Sequence, residues 1–105
     1  MTKEEFETKT NSGKLILVDF FATWCGPCQM MKPIMEEMEE KFKDDKDVEI
    51  LAVDIDENPQ IPAIYSVMSV PSFVFIKDGK AIDTVIGAVP ADSLLEKIEK
   101  YKKEK

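Results

Sequence analysis

The sequence predicts an α/β protein with a central mixed β-sheet flanked by helices on both faces. Three observations predict it. Apolar runs of strand length alternate with stretches whose apolar residues recur at helical spacing, in the order α-β-α-β-α-β-β-α. The early strand–helix–strand portion implies parallel pairing through a right-handed crossover. An Asp-Gly pair between the last two strand-like runs adds an antiparallel hairpin.

Each element has a local cause. Thr2 and Glu5 have capping-box spacing, which starts a helix over residues 3–10. Asn11-Ser12-Gly13 breaks the chain. Residues 15–21 are apolar on both faces apart from Asp19, as in a buried strand. A helical run follows from Gln29 to Phe42, with Met31, Ile34, Met35, Met38 and Phe42 along one face and Pro33 inside it, where a kink is expected. Met31, Met35 and Met38 read as core filling, and the acidic run Glu36-Glu37-Met38-Glu39-Glu40 as the solvated face.

After a polar connection over residues 43–47, Val48 to Asp54 reads as a second buried strand. Asn58-Pro59 looks like a cap followed by a first-turn proline, opening a short helix that ends near Val67. Ser72–Lys77 and Ala81–Ile86 form the hairpin around Asp78-Gly79. A last helix over Ala91–Tyr101 carries Leu94, Leu95, Ile98 and Tyr101 on its inner face, with lysines at the end that favours positive charge.

The length of 105 residues suits one domain spanning 1–105, with no repeat or low-complexity tract. The net charge is −7, which argues against nucleic acid as a partner, because phosphates demand a basic face. No apolar run approaches a membrane span, and Met1–Phe6 lacks the basic and apolar regions of a signal peptide, so a cytoplasmic protein is expected. A monomer is expected as well. There is no histidine, so proton chemistry near neutrality falls to a perturbed carboxylate, a thiol or water.

Both cysteines lie in Trp24-Cys25-Gly26-Pro27-Cys28, between the first strand and the long helix. Two thiols so placed can close a small disulfide ring at a helix start. That location favours a thiolate, the species that attacks disulfides. Two cysteines are too few for a secreted disulfide scaffold. A zinc site needs about four ligands, which two cysteines without histidine do not supply in one chain. Asp19 is a carboxylate within a buried strand, so burial should raise its pKa toward neutrality. The reading is dithiol–disulfide exchange.

At these residues the chain resembles the thioredoxin family. The match runs through Val18-Asp19-Phe20-Phe21-Ala22-Thr23 into the CGPC motif and Pro33, then Val53-Asp54-Ile55-Asp56-Glu57-Asn58-Pro59, Val70-Pro71-Ser72-Phe73, Lys77-Asp78-Gly79 and Gly87-Ala88. The resemblance implies the thioredoxin fold, with the CGPC turn at the end of a central strand and Pro71 cis. The family usually opens with a short strand; with little before Thr2, that first edge strand is expected to be short or missing. Gln29 stands where a basic residue is common, Ala52 where bacterial members carry a lysine near the buried aspartate, and Ser72 where threonine is common.

The resemblance also implies roles. Cys25 would be the nucleophile and Cys28 the resolving thiol, so that a target disulfide is reduced through a mixed disulfide. The resemblance also implies a lowered thiol pKa at the CxxC site. Asp19 would accept the proton of Cys28, acting through water. Gly26, Pro27 and cis Pro71 would shape the site, with Pro71 also keeping metal from the thiols. Trp24, Ile55, Val70, Gly87 and Ala88 would line an apolar docking patch, and the Val70 backbone would pair with an extended substrate.

No cofactor is expected on the chain itself, since it has no phosphate-binding glycine loop. NADPH and FAD would enter indirectly, through thioredoxin reductase. Peroxiredoxin, ribonucleotide reductase and methionine sulfoxide reductase are the target classes implied. Two rival readings stand beside this one. A glutathione-dependent dithiol oxidoreductase would more often carry a CPYC-type motif, and a redox-independent docking scaffold would not need its cysteines.

Overall fold

The computed structural model describes residues 1–103. Its elements are α1 (Lys3–Thr10), β1 (Leu15–Phe21), α2 (Gly26–Phe42), β2 (Val48–Asp54), α3 (Gln60–Ile64), β3 (Ser72–Lys77), β4 (Lys80–Ile86) and α4 (Ala91–Lys103). One four-stranded sheet has the order β2-β1-β3-β4. β1 runs parallel to β2 and antiparallel to β3, and β3 pairs antiparallel with β4. This is the mixed α/β sheet that the pattern predicts.

Alternation along β1 divides the core in two. Leu15 and Leu17 join Phe73 and Phe75 beneath α2, which contributes Met31, Met35, Met38 and Phe42, and α4, which contributes Leu94 and Ile98. Ile16, Val18 and Phe20 join Val74 and Ile76 on the other face, covered by Phe6 of α1 and Ile61 of α3. Burying each such side chain contributes roughly 1.5–3 kcal/mol. The three methionines are core, as their spacing suggests.

The α1 start follows its capping box: the Thr2 hydroxyl accepts the Glu5 N–H at 3.1 Å. Asp78 and Gly79 both have positive φ, 51° and 77°, as a two-residue hairpin turn requires. The Gly79 N–H donates to Thr10 O at 3.0 Å, tying this turn to the end of α1. α4 is held to β4 by Asp83, which accepts from Lys97 Nζ at 2.6 Å and from the Tyr101 hydroxyl. It continues two residues past the expected end, to Lys103.

α3 departs from expectation. It begins at Gln60 with Pro59 at the cap position, and Asn58 does not cap it through its side chain. The buried Asn58 amide instead donates to Asp54 O at 3.3 Å. The helix stops at Ile64 rather than near Val67, because Ser66 adopts φ 56° and the Val67 N–H returns to Pro62 O at 3.0 Å. Neither Met1 nor Thr2 is in a strand, so β2 and β4 are the sheet edges among the described residues. Among the same residues no helix is long and apolar enough to cross a membrane.

Candidate active site

β1 ends at Phe21 and delivers the chain through Ala22, Thr23 and Trp24 to the start of α2. Cys25 is the N-cap residue, in an extended conformation, and its Sγ accepts the Cys28 N–H at 3.2 Å. The Gln29 N–H donates to the Cys25 carbonyl at 3.2 Å, closing the first turn. A helix start carries unpaired N–H groups and the positive dipole end, so this is a place where negative charge on Cys25 Sγ is favoured. Pro27 in the first turn has no N–H to satisfy.

Cys25 and Cys28 form a disulfide, with Cα atoms 5.2 Å apart. The two cysteines are similarly buried, at 5% and 6% exposure. They pack with Ala22, and against them lie Phe21, Ile55 and Val70. The Val70–Pro71 bond is cis, and Pro71 is buried. The Pro71 carbonyl accepts the Gly87 N–H at 2.9 Å, where Gly87 has φ 91°. That bond brings the end of β4 to the site.

The docking residues named from the sequence are therefore not equivalent. Ile55 and Val70 touch the cysteine cluster, and Gly87 joins through Pro71. Ala88 is exposed beyond Gly87 and is not among the side chains packed on the disulfide. Gly26 and Pro27 are exposed on the turn itself. Trp24 is 69% exposed, but its indole is fixed: Nε1 donates to Asp56 Oδ2 at 2.8 Å. Sequence reasoning missed Asp56. The turn it occupies, in which its N–H donates to Asp54 Oδ1 at 2.9 Å, follows from an Asp-x-Asp pattern after a strand; the indole partner does not.

Asp19 lies beneath the helix start and is 8% exposed. Its Oδ1 is buried with no hydrogen-bond partner among the described residues. Burial, with a smaller contribution from Glu39, pushes its pKa up to about 7. Across the β1–β2 ladder it faces Ala52, and across β1–β3 it faces Phe73, so neither neighbouring strand offers a charge opposite it. A cavity of about 220 Å³ is lined by Asp19, Cys28, Ala52, Gln29, Lys32 and Glu36, among others. Cys25 does not line it. Helical spacing places Gln29, Lys32 and Glu36 on one stripe of α2. That spacing was readable in the sequence, but the acidic run reads there as solvated surface. Among the described residues there is no group of three or more His, Cys, Asp or Glu that could hold a metal.

Comparison with known proteins agrees with this geometry. The thioredoxin family model matches residues 1–100. A thioredoxin of Listeria monocytogenes is 44% identical over 101 residues, covering 96% of this chain and 95% of that protein. The solved thioredoxin of Malassezia sympodialis superposes with a TM-score of 0.86 at 37% identity, covering 96% of this chain and 88% of the other. A chain from a structure of thiol resolution in yeast mitochondrial 1-Cys peroxiredoxin, via the glutathione and thioredoxin systems, superposes with a TM-score of 0.80 at 34% identity, covering 92% and 88%. A family model over nearly the whole length and relatives covered almost end to end lead where the cysteine pair and its buried carboxylate already pointed: the chain belongs to the thioredoxin family.

Proposed function

We propose that Cys25 attacks, Cys28 resolves and Asp19 takes the proton between the two steps. The chain is a thiol–disulfide oxidoreductase that reduces protein disulfides, as its family does. In the dithiol form, the Cys25 thiolate attacks one sulfur of a target disulfide, and the other target sulfur leaves as a thiolate. Cys28 then gives its proton to the Asp19 carboxylate and attacks Cys25 Sγ. The second target sulfur leaves, and the chain keeps a Cys25–Cys28 disulfide. Two electrons pass to the target.

One observation carries this assignment of roles. Asp19 shares a cavity with Cys28 and not with Cys25, while Cys25 Sγ holds the helix-capping position. The thiol that must be deprotonated mid-cycle is the one beside the base. The thiol that must be a thiolate at the outset is the one at the helix start. In the wider site, Gly26, Pro27 and Pro71 set the shape, and Trp24, Ile55, Val70, Gly87 and Ala88 meet the target, with the Val70 backbone offering an edge to an extended segment. The 105 residues act as a single, monomeric domain in the cytoplasm. Electrons come from NADPH through the flavin of thioredoxin reductase. Targets include peroxiredoxins, a reading supported by the yeast structural neighbour, and ribonucleotide reductase and methionine sulfoxide reductase.

The test is turnover of a protein disulfide with NADPH, comparing thioredoxin reductase with glutathione and its reductase as electron source. Activity with thioredoxin reductase is expected; activity with glutathione alone would overturn the electron donor. Cys28→Ser should accumulate mixed disulfides through Cys25, and Cys25→Ser should not. The reverse order would overturn the roles.

A further inference from the structure

We propose that the charged stripe of α2, Lys32 with Glu36 and Glu39, sets how tightly Asp19 holds its proton, because no neighbouring strand supplies a charged partner. These are positioning residues: they act on the reaction through Asp19. The inference rests on Asp19 being the proton acceptor.

The geometry begins with the ladder. Asp19 is flanked by Ala52 and Phe73, and its Oδ1 has no hydrogen-bond partner among the described residues. On the same face of β2, Asp54 pairs opposite Phe21, and its Oδ1 is occupied by the Asp56 N–H. Elsewhere on β2, Glu49 is held by Lys9 at 3.2 Å and Lys14 at 3.9 Å. α4 packs on the same sheet face, but its Lys97 is engaged by Asp83. That leaves α2, whose Lys32 and Glu36 line the cavity that Asp19 opens into.

Lys32 is exposed and enters no ion pair among the described residues, so its charge is not neutralised by a fixed carboxylate. Glu36 stands one helical turn further on and Glu39 nearly two. Glu39 raises the pKa of Asp19, and Glu36 in turn raises that of Glu39, in each case after burial as the larger cause. Glu39 thus bears on Asp19 directly, and Lys32 and Glu36 border the cavity into which Asp19 opens, so a cation and two carboxylates of opposite sign surround one buried group. Lys32 favours the ionised, proton-accepting form of Asp19, and the glutamates favour the protonated form.

The stripe is on the surface, so neutralising it should leave the core intact. The experiment titrates the Asp19 carboxyl by carbon NMR in the oxidised protein, for the parent chain, Lys32→Met, Lys32→Arg and Glu36→Gln/Glu39→Gln. Lys32→Met should raise the midpoint by about half a pH unit and the double glutamine variant should lower it by about as much, the scale of a unit charge acting through partly hydrated protein. Lys32→Arg should leave it in place. Midpoints that do not move, or that move in the same direction in both charge-removing variants, would overturn the inference. The pH dependence of target reduction, measured on the same variants, separates it from the reading beneath it. If the midpoints diverge while the rate profiles superimpose, the stripe controls Asp19 and the assignment of Asp19 as proton acceptor fails.

Discussion

The indole Nε1–H of Trp24 donates to Asp56 Oδ2 over 2.8 Å, fixing the residue before Cys25 to the turn after β2. Without that bond the side chain of Trp24, a residue 69% exposed, would have little to hold it. Asp56→Ala should therefore loosen the rim of the site and leave the fold intact. The expected cost in stability is below about 1 kcal/mol, and the loss in kcat/KM for a protein disulfide is up to about tenfold, the scale of one hydrogen bond. Trp24 is the chain's only tryptophan, so fluorescence reports the release directly. Unchanged emission together with unchanged kcat/KM would show that the bond does not position the indole.

Asp19 gives stability a negative dependence on pH. Its pKa rises from 3.8 to about 7 on folding, so between those values the folded chain binds more protons than the unfolded one. Its contribution is most favourable below pH 4, declines as pH rises, and levels off above 7. The span is about 4 kcal/mol, from roughly three pKa units at 1.36 kcal/mol each. Asp19→Asn should flatten this slope, stabilise the fold at pH 8, and slow disulfide reduction. Urea unfolding at pH 4, 6 and 8 measures the first two effects. A neutral-pH reduction rate equal to the parent's would contradict the role in turnover proposed for Asp19.

The Asp83 cluster behaves in the opposite sense. Hydrogen bonds from Lys97 and Tyr101 hold its carboxyl below the usual range. Its contribution is present above the ordinary value of 3.8 and is lost as pH falls through the lower folded value. The group is partly exposed, so solvent screening keeps the effect small. Asp83→Asn should cost about 1 kcal/mol at pH 7. The difference should shrink in acid, which paired urea titrations at pH 7 and pH 2.5 would reveal.

Gly79 is constrained twice. Its φ is 77°, and a Cβ built there would fall 2.7 Å from Asn11 Oδ1. Gly79→Ala should destabilise by about 1–2 kcal/mol through backbone strain and this clash. Adding Asn11→Ala should recover the steric part and leave the backbone part. Thermal denaturation of the two single variants and the double variant separates them; strict additivity would argue against the contact.

Much of the fold was legible because it is written locally. β1 and β2 fall at 15–21 and 48–54, where continuous apolar runs place them, and the methionines of α2 are buried as their spacing requires. Asp78-Gly79 specifies its turn through two positive φ values. α3 is less legible, since a five-residue helix with a proline inside has little periodicity, and the Asn58 side chain finds a backbone partner instead of serving as a cap. The site divides in the same way. Cys25, Cys28 and Asp19 stand out by residue type, whereas the Trp24–Asp56 bond joins residues 32 apart across the β1–α2–β2 crossover. The influence of Glu39 on Asp19 needs the packing of α2 on the sheet, which an acidic run alone does not reveal.

The Cys25 sulfur caps α2, and in the proposed cycle it is also the atom through which electrons pass. Folding and redox chemistry therefore form two edges of one thermodynamic square, whose corners are the folded and unfolded chain in dithiol and disulfide forms. Any change in how well that sulfur caps the helix in one redox state relative to the other must reappear as a change in reducing power. A helix-capping perturbation remote from any target, such as a substitution that weakens the first turn of α2, is thus a way to tune the protein as an electron donor.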